Sequence, residues 1–158
     1  DLLAVKHSRW GQPLDKGRGR GVAVHESFNS YVAMVVEVTV EDDGSYSVDR
    51  VDLAVDCGVA VNPDIIRAQM EGGLGYGLSA VLESEITIGN GAVEQTNFDG
   101  YTVLRAAQMP EVHVHIVPSA QAPTGVGEPA TPVIGPAVIN ALSSVTGKRY
   151  VELPVRAA

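Results

Sequence analysis

The sequence has almost nothing from which an electron-transfer centre could be built. Cys57 is the single cysteine among 158 residues. One thiol cannot form an internal disulfide, a multi-cysteine zinc site or an iron–sulfur cluster. Cys57 is therefore expected to be a small buried apolar residue rather than a nucleophile. Any electron-transfer centre that accompanies this chain must belong to another domain or subunit.

Positive charge and long apolar runs are also scarce. The chain has 11 basic and 19 acidic residues, for a formal net charge of −8. This balance argues against binding to nucleic acid or to an anionic membrane surface. No apolar run approaches the length of a membrane span. The sequence begins at Asp1 without a methionine or a signal peptide, so we expect a piece of a longer protein. Its compartment, cytoplasmic or periplasmic, is not indicated.

The strongest local pattern is a long β-hairpin. Apolar residues alternate through residues 31–41 and again through 46–55, and the turn residues Asp42-Asp43-Gly44 separate the two runs. The other predicted elements are a short N-terminal helix, a helix from Asn62-Pro63 to Leu82, a hairpin over 85–88 and 92–95, a strand over 112–117, a helix over 132–144 and a strand over 150–153. Strands and helices interleave, which predicts an α+β fold: a mixed sheet with long hairpins packed against two or three helices.

Residues 1–21 are predicted to be an N-terminal segment that ends in a connector, and residues 22–158 the main domain. The connector alternates glycine with basic residues, Lys16-Gly17-Arg18-Gly19-Arg20-Gly21. No aromatic residues interleave and the chain is acidic, so a flexible link or sharp loop is favoured over a nucleic-acid-binding arm.

A glycine-rich loop between the strand over 112–117 and the last helix is the best candidate site. Its sequence is Thr124-Gly125-Val126-Gly127-Glu128-Pro129. Glycine lets a ligand approach the main chain, and Pro129 biases Glu128 towards an extended conformation. Strand–helix junctions of this kind often carry ligand-binding groups. Two interpretations remain open: a carboxylate aimed at a ligand, or a tight loop whose glutamate faces water.

Four glycines interrupt the helix that Asn62-Pro63 opens, namely Gly72, Gly73, Gly75 and Gly77. Each costs up to ~1 kcal/mol relative to alanine in a helix interior. Close packing against another element and close approach of a bulky ligand both explain them. No metal site is predicted, because His113 and His115 alternate on one strand without an evident third ligand.

Three blocks together resemble the molybdenum hydroxylases, the family of xanthine dehydrogenase and aldehyde oxidase. In chain order they are Gly19 to Ala33, Asp56 to Leu78 with its Gln69-Met70-Glu71-Gly72-Gly73 segment, and Gly125 to Pro129. The first block is similar to the molybdopterin-binding large subunits of the bacterial isoquinoline 1-oxidoreductase type. The resemblance runs from about Leu2 to Pro154 and identifies residues 22–158 as the molybdopterin-binding C-terminal domain of a longer subunit.

The resemblance implies a molybdenum-dependent oxidoreductase that oxidises aldehydes or N-heterocycles with water as the oxygen source. It implies molybdopterin cytosine dinucleotide as cofactor and a small-molecule substrate. It also implies two partners: the missing N-terminal portion of the same subunit, which completes the cofactor site, and a small subunit that carries the iron–sulfur clusters. The isolated chain is then expected to be inactive. The alternative is a non-catalytic folded module that keeps the scaffold but binds no cofactor alone.

The family pattern also implies roles for individual residues. Glu128 matches the general base of the active-site loop. Gln69 would hydrogen-bond the pterin or its phosphate. The remaining cofactor-binding candidates, whose backbone amides would face the cofactor, are Gly72, Gly73, Gly125, Val126 and Gly127.

Overall fold

The computed structural model describes residues 2–156. It contains the helices α1 (Leu2–His7), α2 (Pro63–Leu82) and α3 (Ala130–Thr146), and the strands β1 (Arg18–Ser27), β2 (Ser30–Val40), β3 (Tyr46–Asp56), β4 (Ile88–Gly89), β5 (Ala92–Val93) and β6 (Glu111–Ile116). These elements confirm the predicted α+β class with a mixed sheet.

The main sheet has the strand order β1-β2-β3-β6. Its first three strands are antiparallel neighbours, whereas β6 runs parallel to β3. Parallel neighbours need a crossover, and α2 lies within the connection from β3 to β6. Consequently β3 and β6 end at the same edge of the sheet. The predicted second hairpin exists only as the two-residue strands β4 and β5.

The two faces of the central hairpin are buried under different helices, as its alternation predicts. One face contributes Val32, Met34, Val36 and Val38 to the main core, which α2 and α3 cover. The opposite face contributes Ala33 and Val35 to a smaller cluster that contains Ala4 of α1. The helix opened by Asn62 is also confirmed, because its side-chain oxygen caps the amides of Asp64 and Ile65.

The interpretation of residues 18–21 as a flexible link is wrong, because they begin β1. A Cβ on Gly19 or Gly21 would overlap atoms of α3, so glycine is what allows β1 to pack directly against that helix. The alternating arginines point to the opposite face. There Arg20 Nε lies 2.7 Å and Arg18 Nη2 3.1 Å from the carboxylate of Glu37, which is only 6% exposed. This strand is fixed by helix packing and buried ion pairs, not by β-propensity.

Two further predictions differ from the structure. Residues 150–153 form no strand. The last helix begins at Ala130, earlier than predicted, and its N-cap is Pro129. Thr131 in the first turn of this helix donates its hydroxyl to the Gly73 carbonyl at 3.1 Å, which ties the start of α3 to α2. Within residues 2–156, no helix combines the length and apolarity that crossing a membrane requires.

A histidine pair joins α1 to the open edge of the sheet. The rings of His7 and His115 stack with centroids 4.2 Å apart. Burial lowers the pKa of His115, and nearby His7 lowers it further, which outweighs the opposing effect of Asp52. The neutral imidazole is therefore the form that fits this contact.

We predict that Gly77→Ala destabilises the chain, whereas Gly72→Ala in the same helix does not. A Cβ at Gly77 would overlap the Thr131 carbonyl, while a Cβ at Gly72 meets open space. The expected loss for Gly77→Ala is ~1–3 kcal/mol from overpacking. Gly72→Ala should gain up to ~1 kcal/mol from helix propensity. Urea unfolding of both variants measures the difference, and equal stabilities would contradict the packing.

We also predict that part of the stability is lost as pH falls. The unfolded histidine titrates near pH ~6.5, and the folded pKa of His115 lies lower. The stability that neutral His115 gives to the folded state is thus complete above pH ~6.5, and it declines as the pH drops through the folded pKa of His115. His115→Gln should flatten the stability curve between pH ~7.5 and ~5. Parallel curves for the variant and the wild type would show that His115 does not carry this dependence.

Candidate functional site

Three segments meet at the edge of the sheet where β3 and β6 end. Tyr31 at the start of β2 pairs with Asp56 at the end of β3, so the β1–β2 turn lies at this edge too. The segment that follows β6 runs beside the segment that follows β3. Two backbone hydrogen bonds join them, from Val59 N to Gln121 O and from Thr124 N to Cys57 O. The Glu128 loop therefore emerges beside the β1–β2 turn, at the carboxyl ends of parallel strands where ligands often bind.

The β1–β2 turn is held against the Glu128 loop by buried hydrogen bonds. Ser30, fully buried, lies 2.6 Å from the Thr124 hydroxyl and donates to the Gly125 carbonyl at 2.6 Å. The Gly125 amide donates back to Phe28 O at 3.3 Å. Phe28 and Asn29 both have positive φ, 53° and 58°. That geometry suits a two-residue hairpin turn but is uncommon for a bulky residue. The loop contact holds the Phe28 ring, 59% exposed, beside the site.

A cleft of about 500 Å³ lies between this turn, α2 and the start of α3. Five of the seven predicted site residues line it together: Gln69, Gly72, Gly73, Gly127 and Glu128. Glu128 and Gln69 are exposed to solvent there. Two segments more than 50 positions apart in the sequence thus share one concave surface.

The other two predicted residues support the loop from behind. Both polar backbone groups of Gly125 are occupied, its amide by Phe28 and its carbonyl by Ser30. Val126 is partly buried against the main core. In this geometry neither residue lines the cleft, so the Gly125 amide is not free to meet a ligand.

The adjacent glycines of α2 play different parts. A Cβ on Gly73 would lie 3.2 Å from Ala130 Cβ and 3.3 Å from Thr131 Oγ1, so Gly73 serves packing against α3. Gly72 and Gly127 have nothing within 4 Å of a Cβ, so their faces are open to the cleft. Amides inside a helix bond the carbonyl four residues earlier. The amides of Gly72 and Gly73 are therefore used within α2, and Gly72 offers the cleft bare surface rather than an amide donor.

The cleft also contains residues that the sequence did not single out: His25, Ser27, Phe28, Tyr76, Thr131 and Pro132. Ser27 Oγ is buried and has no hydrogen-bond partner within residues 2–156. Tyr76 is 79% exposed. His25 to Phe28 fall in the first family-like block, and that was the one sequence signal available for them.

The weaker candidates are not part of this cleft. His113 lies 2.9 Å from Glu111 on β6, and no group of three or more potential metal ligands occurs in the described part of the chain. Cys57 is 2% exposed, as predicted, and burial raises the pKa of its thiol. A protonated buried thiol is a poor nucleophile.

Comparison with known proteins establishes the class. Residues 3–110 match the family model of the molybdopterin cofactor-binding domain. This match covers more than half of the chain, and the chain belongs to that family.

The relatives are bacterial oxidoreductases. The chain is 41% identical over 143 residues to the isoquinoline 1-oxidoreductase subunit beta of Brevundimonas diminuta, covering 90% of the chain and 18% of the relative. It is 36% identical over 155 residues to the membrane-bound aldehyde dehydrogenase [pyrroloquinoline-quinone] of Gluconacetobacter polyoxogenes, covering 94% and 20%. The aldehyde oxidoreductase structure from Desulfovibrio gigas superposes with a TM-score of 0.68 at 27% identity, covering 79% of the chain and 14% of that protein. The chain thus spans no more than a fifth of any of these.

We predict that Ser30→Ala loosens the Glu128 loop. The substitution removes the partner that fully buried Ser30 gives to the Gly125 carbonyl and the Thr124 hydroxyl. Such a loss costs about 1–3 kcal/mol. Ser45→Ala, which removes an exposed turn bond to Asp43, is the matched control and should cost less than ~0.5 kcal/mol. Urea unfolding gives both values, and amide exchange at Gly125 should accelerate only in Ser30→Ala. Equal effects would mean that Ser30 does not pin the loop.

Proposed function

We propose that this chain is the C-terminal domain of a molybdenum hydroxylase subunit that oxidises aldehydes or N-heterocycles, with water as the oxygen source. The observation that carries the proposal is the shared cleft. Gln69 and Gly72 from one family-like block, and Gly127 and Glu128 from another, lie around one space at a sheet edge. The relatives named as an isoquinoline 1-oxidoreductase and an aldehyde dehydrogenase indicate the substrate classes.

The residues of the cleft suit a large, phosphate-bearing cofactor. The open faces of Gly72 and Gly127 leave room that any side chain would fill. The Gln69 amide and the unpartnered Ser27 hydroxyl supply hydrogen-bond donors. We infer that these residues hold molybdopterin cytosine dinucleotide. When bound, the cofactor would supply the redox centre, and a small partner subunit would supply the iron–sulfur clusters that accept its electrons.

Glu128 is the proposed general base. The oxidation replaces a C–H bond with a C–O bond to water-derived oxygen, and it releases two protons and two electrons. The Glu128 carboxylate accepts one of these protons from the oxygen nucleophile. Pro129 restricts the backbone of Glu128, and proton transfer needs the carboxylate to be oriented towards the atom that it deprotonates.

The same cleft requires a second wall. Glu128, Gln69 and Gly127 are exposed in this chain, and proton transfer in an active site benefits from the exclusion of water. We infer that the N-terminal portion of the subunit covers the cleft, completes the cofactor site and forms most of the path for the substrate.

We predict that Glu128→Gln in the complete subunit lowers turnover roughly 10²–10⁴-fold, the usual loss of a general base. The amide keeps the shape of the side chain, so molybdenum content should stay near that of the wild type. Glu41→Gln is the matched control, since Glu41 is exposed in the turn at the opposite end of the β2–β3 hairpin. Steady-state rates with isoquinoline and with an aldehyde, together with metal analysis, measure the effect.

The possible outcomes distinguish a role of Glu128 as general base from a role in retaining the cofactor. Turnover within a small factor of wild type would reject Glu128 as the base. Molybdenum lost together with activity would assign Glu128 to cofactor retention instead. If the 158-residue chain alone carries stoichiometric molybdenum and oxidises these substrates, the inferred second wall is wrong.

A further inference from the structure

A second cavity lies against α2, on the other side of Tyr76 from the Glu128 cleft. Its volume is about 730 Å³, and the described residues that line it are mostly apolar or aromatic. Volumes of this size and lining are typical of small-molecule sites. Tyr76 lines both spaces. Gly72 faces the cleft and Gly75 faces the cavity, so the two are about one helical turn apart along α2.

The cavity wall formed by residues 101–109 is fixed to the end of α2 by hydrogen bonds. The Leu104 amide donates to Ser79 Oγ at 3.0 Å, and Ser84 Oγ donates to Thr102 O at 3.0 Å. The two serine hydroxyls lie 2.9 Å apart. These hydrogen bonds join the two sides of the cavity, so the positions of its walls are set by the folded chain itself.

The two serine hydroxyls are thus occupied within the wall, and most of the remaining lining is apolar or aromatic. The rings of Tyr76 and Tyr101 and the thioether of Met109 face this space. Aromatic rings and methionine sulfur both favour contact with flat π systems. A peptide segment would find few free backbone partners here, because Leu104 N and Thr102 O are already bonded.

Arg105 gives the cavity one charge. It is the sole ionisable side chain other than tyrosine among the described lining residues. It forms no ion pair within residues 2–156. A guanidinium without a carboxylate partner keeps its donors available, and its planar fork suits a planar anionic group.

We propose that this cavity binds a planar one- or two-ring aromatic carboxylate, with its ring between Tyr76, Tyr101 and Met109 and its carboxylate on Arg105. The site needs neither the cofactor nor Glu128, so it stands or fails independently of the proposed function. A ligand there shares the Tyr76 ring with the Glu128 cleft.

The test uses naphthalene-2-carboxylate and its neutral counterpart, naphthalene-2-carboxamide, with the 158-residue chain. The chain has three methionines. Met34 and Met70 are fully buried in the core, whereas Met109 lines the cavity. NMR of ¹³C-methyl methionine therefore reports location: the carboxylate should shift the Met109 signal saturably and leave the other two in place.

Three variants separate the contributions, with circular dichroism to verify folding. Arg105→Gln should lower the affinity for the carboxylate about tenfold and leave the affinity for the carboxamide unchanged. Ala80→Trp places a bulky side chain at an exposed position on the cavity lining, so it should lower the affinity for both ligands. Arg67→Gln, on the same helix but outside the cavity, is the charge control and should match the wild type.

Several results would overturn the proposal. These are an unmoved Met109 signal at millimolar carboxylate, shifts at Met34 or Met70 instead, or wild-type binding by Ala80→Trp. Equal weakening by Arg67→Gln and Arg105→Gln would also overturn it, because it would show attraction to positive charge in general.

Discussion

The close contact of α3 with β1 and α2 is the constraint on which the rest of the structure depends. Glycine permits it on both sides, since a Cβ on Gly21 or Gly77 would overlap α3. Because α3 begins two residues after Glu128, the position of this helix sets the position of the loop. The bond from Thr131 Oγ1 to Gly73 O then fixes the start of α3 relative to the helix that carries Gln69. Backbone packing, more than any contact between cleft side chains, therefore determines the width of the Glu128 cleft.

Short-range sequence signals predicted the elements whose structure depends on interactions between residues close together in the sequence. The central hairpin and α2 could be predicted because alternation, turn residues and the Asn62 cap act over a few positions. Strand β1 could not, because Gly-Arg repeats have low β-propensity and resemble a linker. What makes them a strand lies far away in sequence: α3 covers the glycines, and Glu37 pairs with the arginines. The sequence shows both partners, but not that they meet.

The candidate site divides in the same way. Glu128 and Gln69 stand in recognisable segments, so the family pattern is enough to suggest them. Phe28 lies beside the cleft because the β1–β2 turn is bonded to Gly125 of the Glu128 loop, and no local signal in the sequence predicts that contact. Gly72 and Gly73 show the limit of a helical pattern. Neighbouring residues point about 100° apart, so one glycine faces the cleft and the other faces α3. Sequence alone offered packing and ligand approach as explanations; packing accounts for Gly73, and Gly72 has the open face that the ligand explanation requires.

The residues that line the Glu128 cleft are held in place by hydrogen bonds within this chain. Behind the loop, Ser30 occupies the Gly125 carbonyl and Phe28 the Gly125 amide, and Thr131 occupies the Gly73 carbonyl beside it. The exposed polar residues of the cleft are Gln69 and Glu128, whereas the unpartnered Ser27 hydroxyl is buried in its wall. A site arranged in this way loses little binding free energy to the ordering of its own residues. Under the proposed function, folding and cofactor binding are then separable: a substitution behind the loop changes stability first, and one on the cleft surface changes binding first.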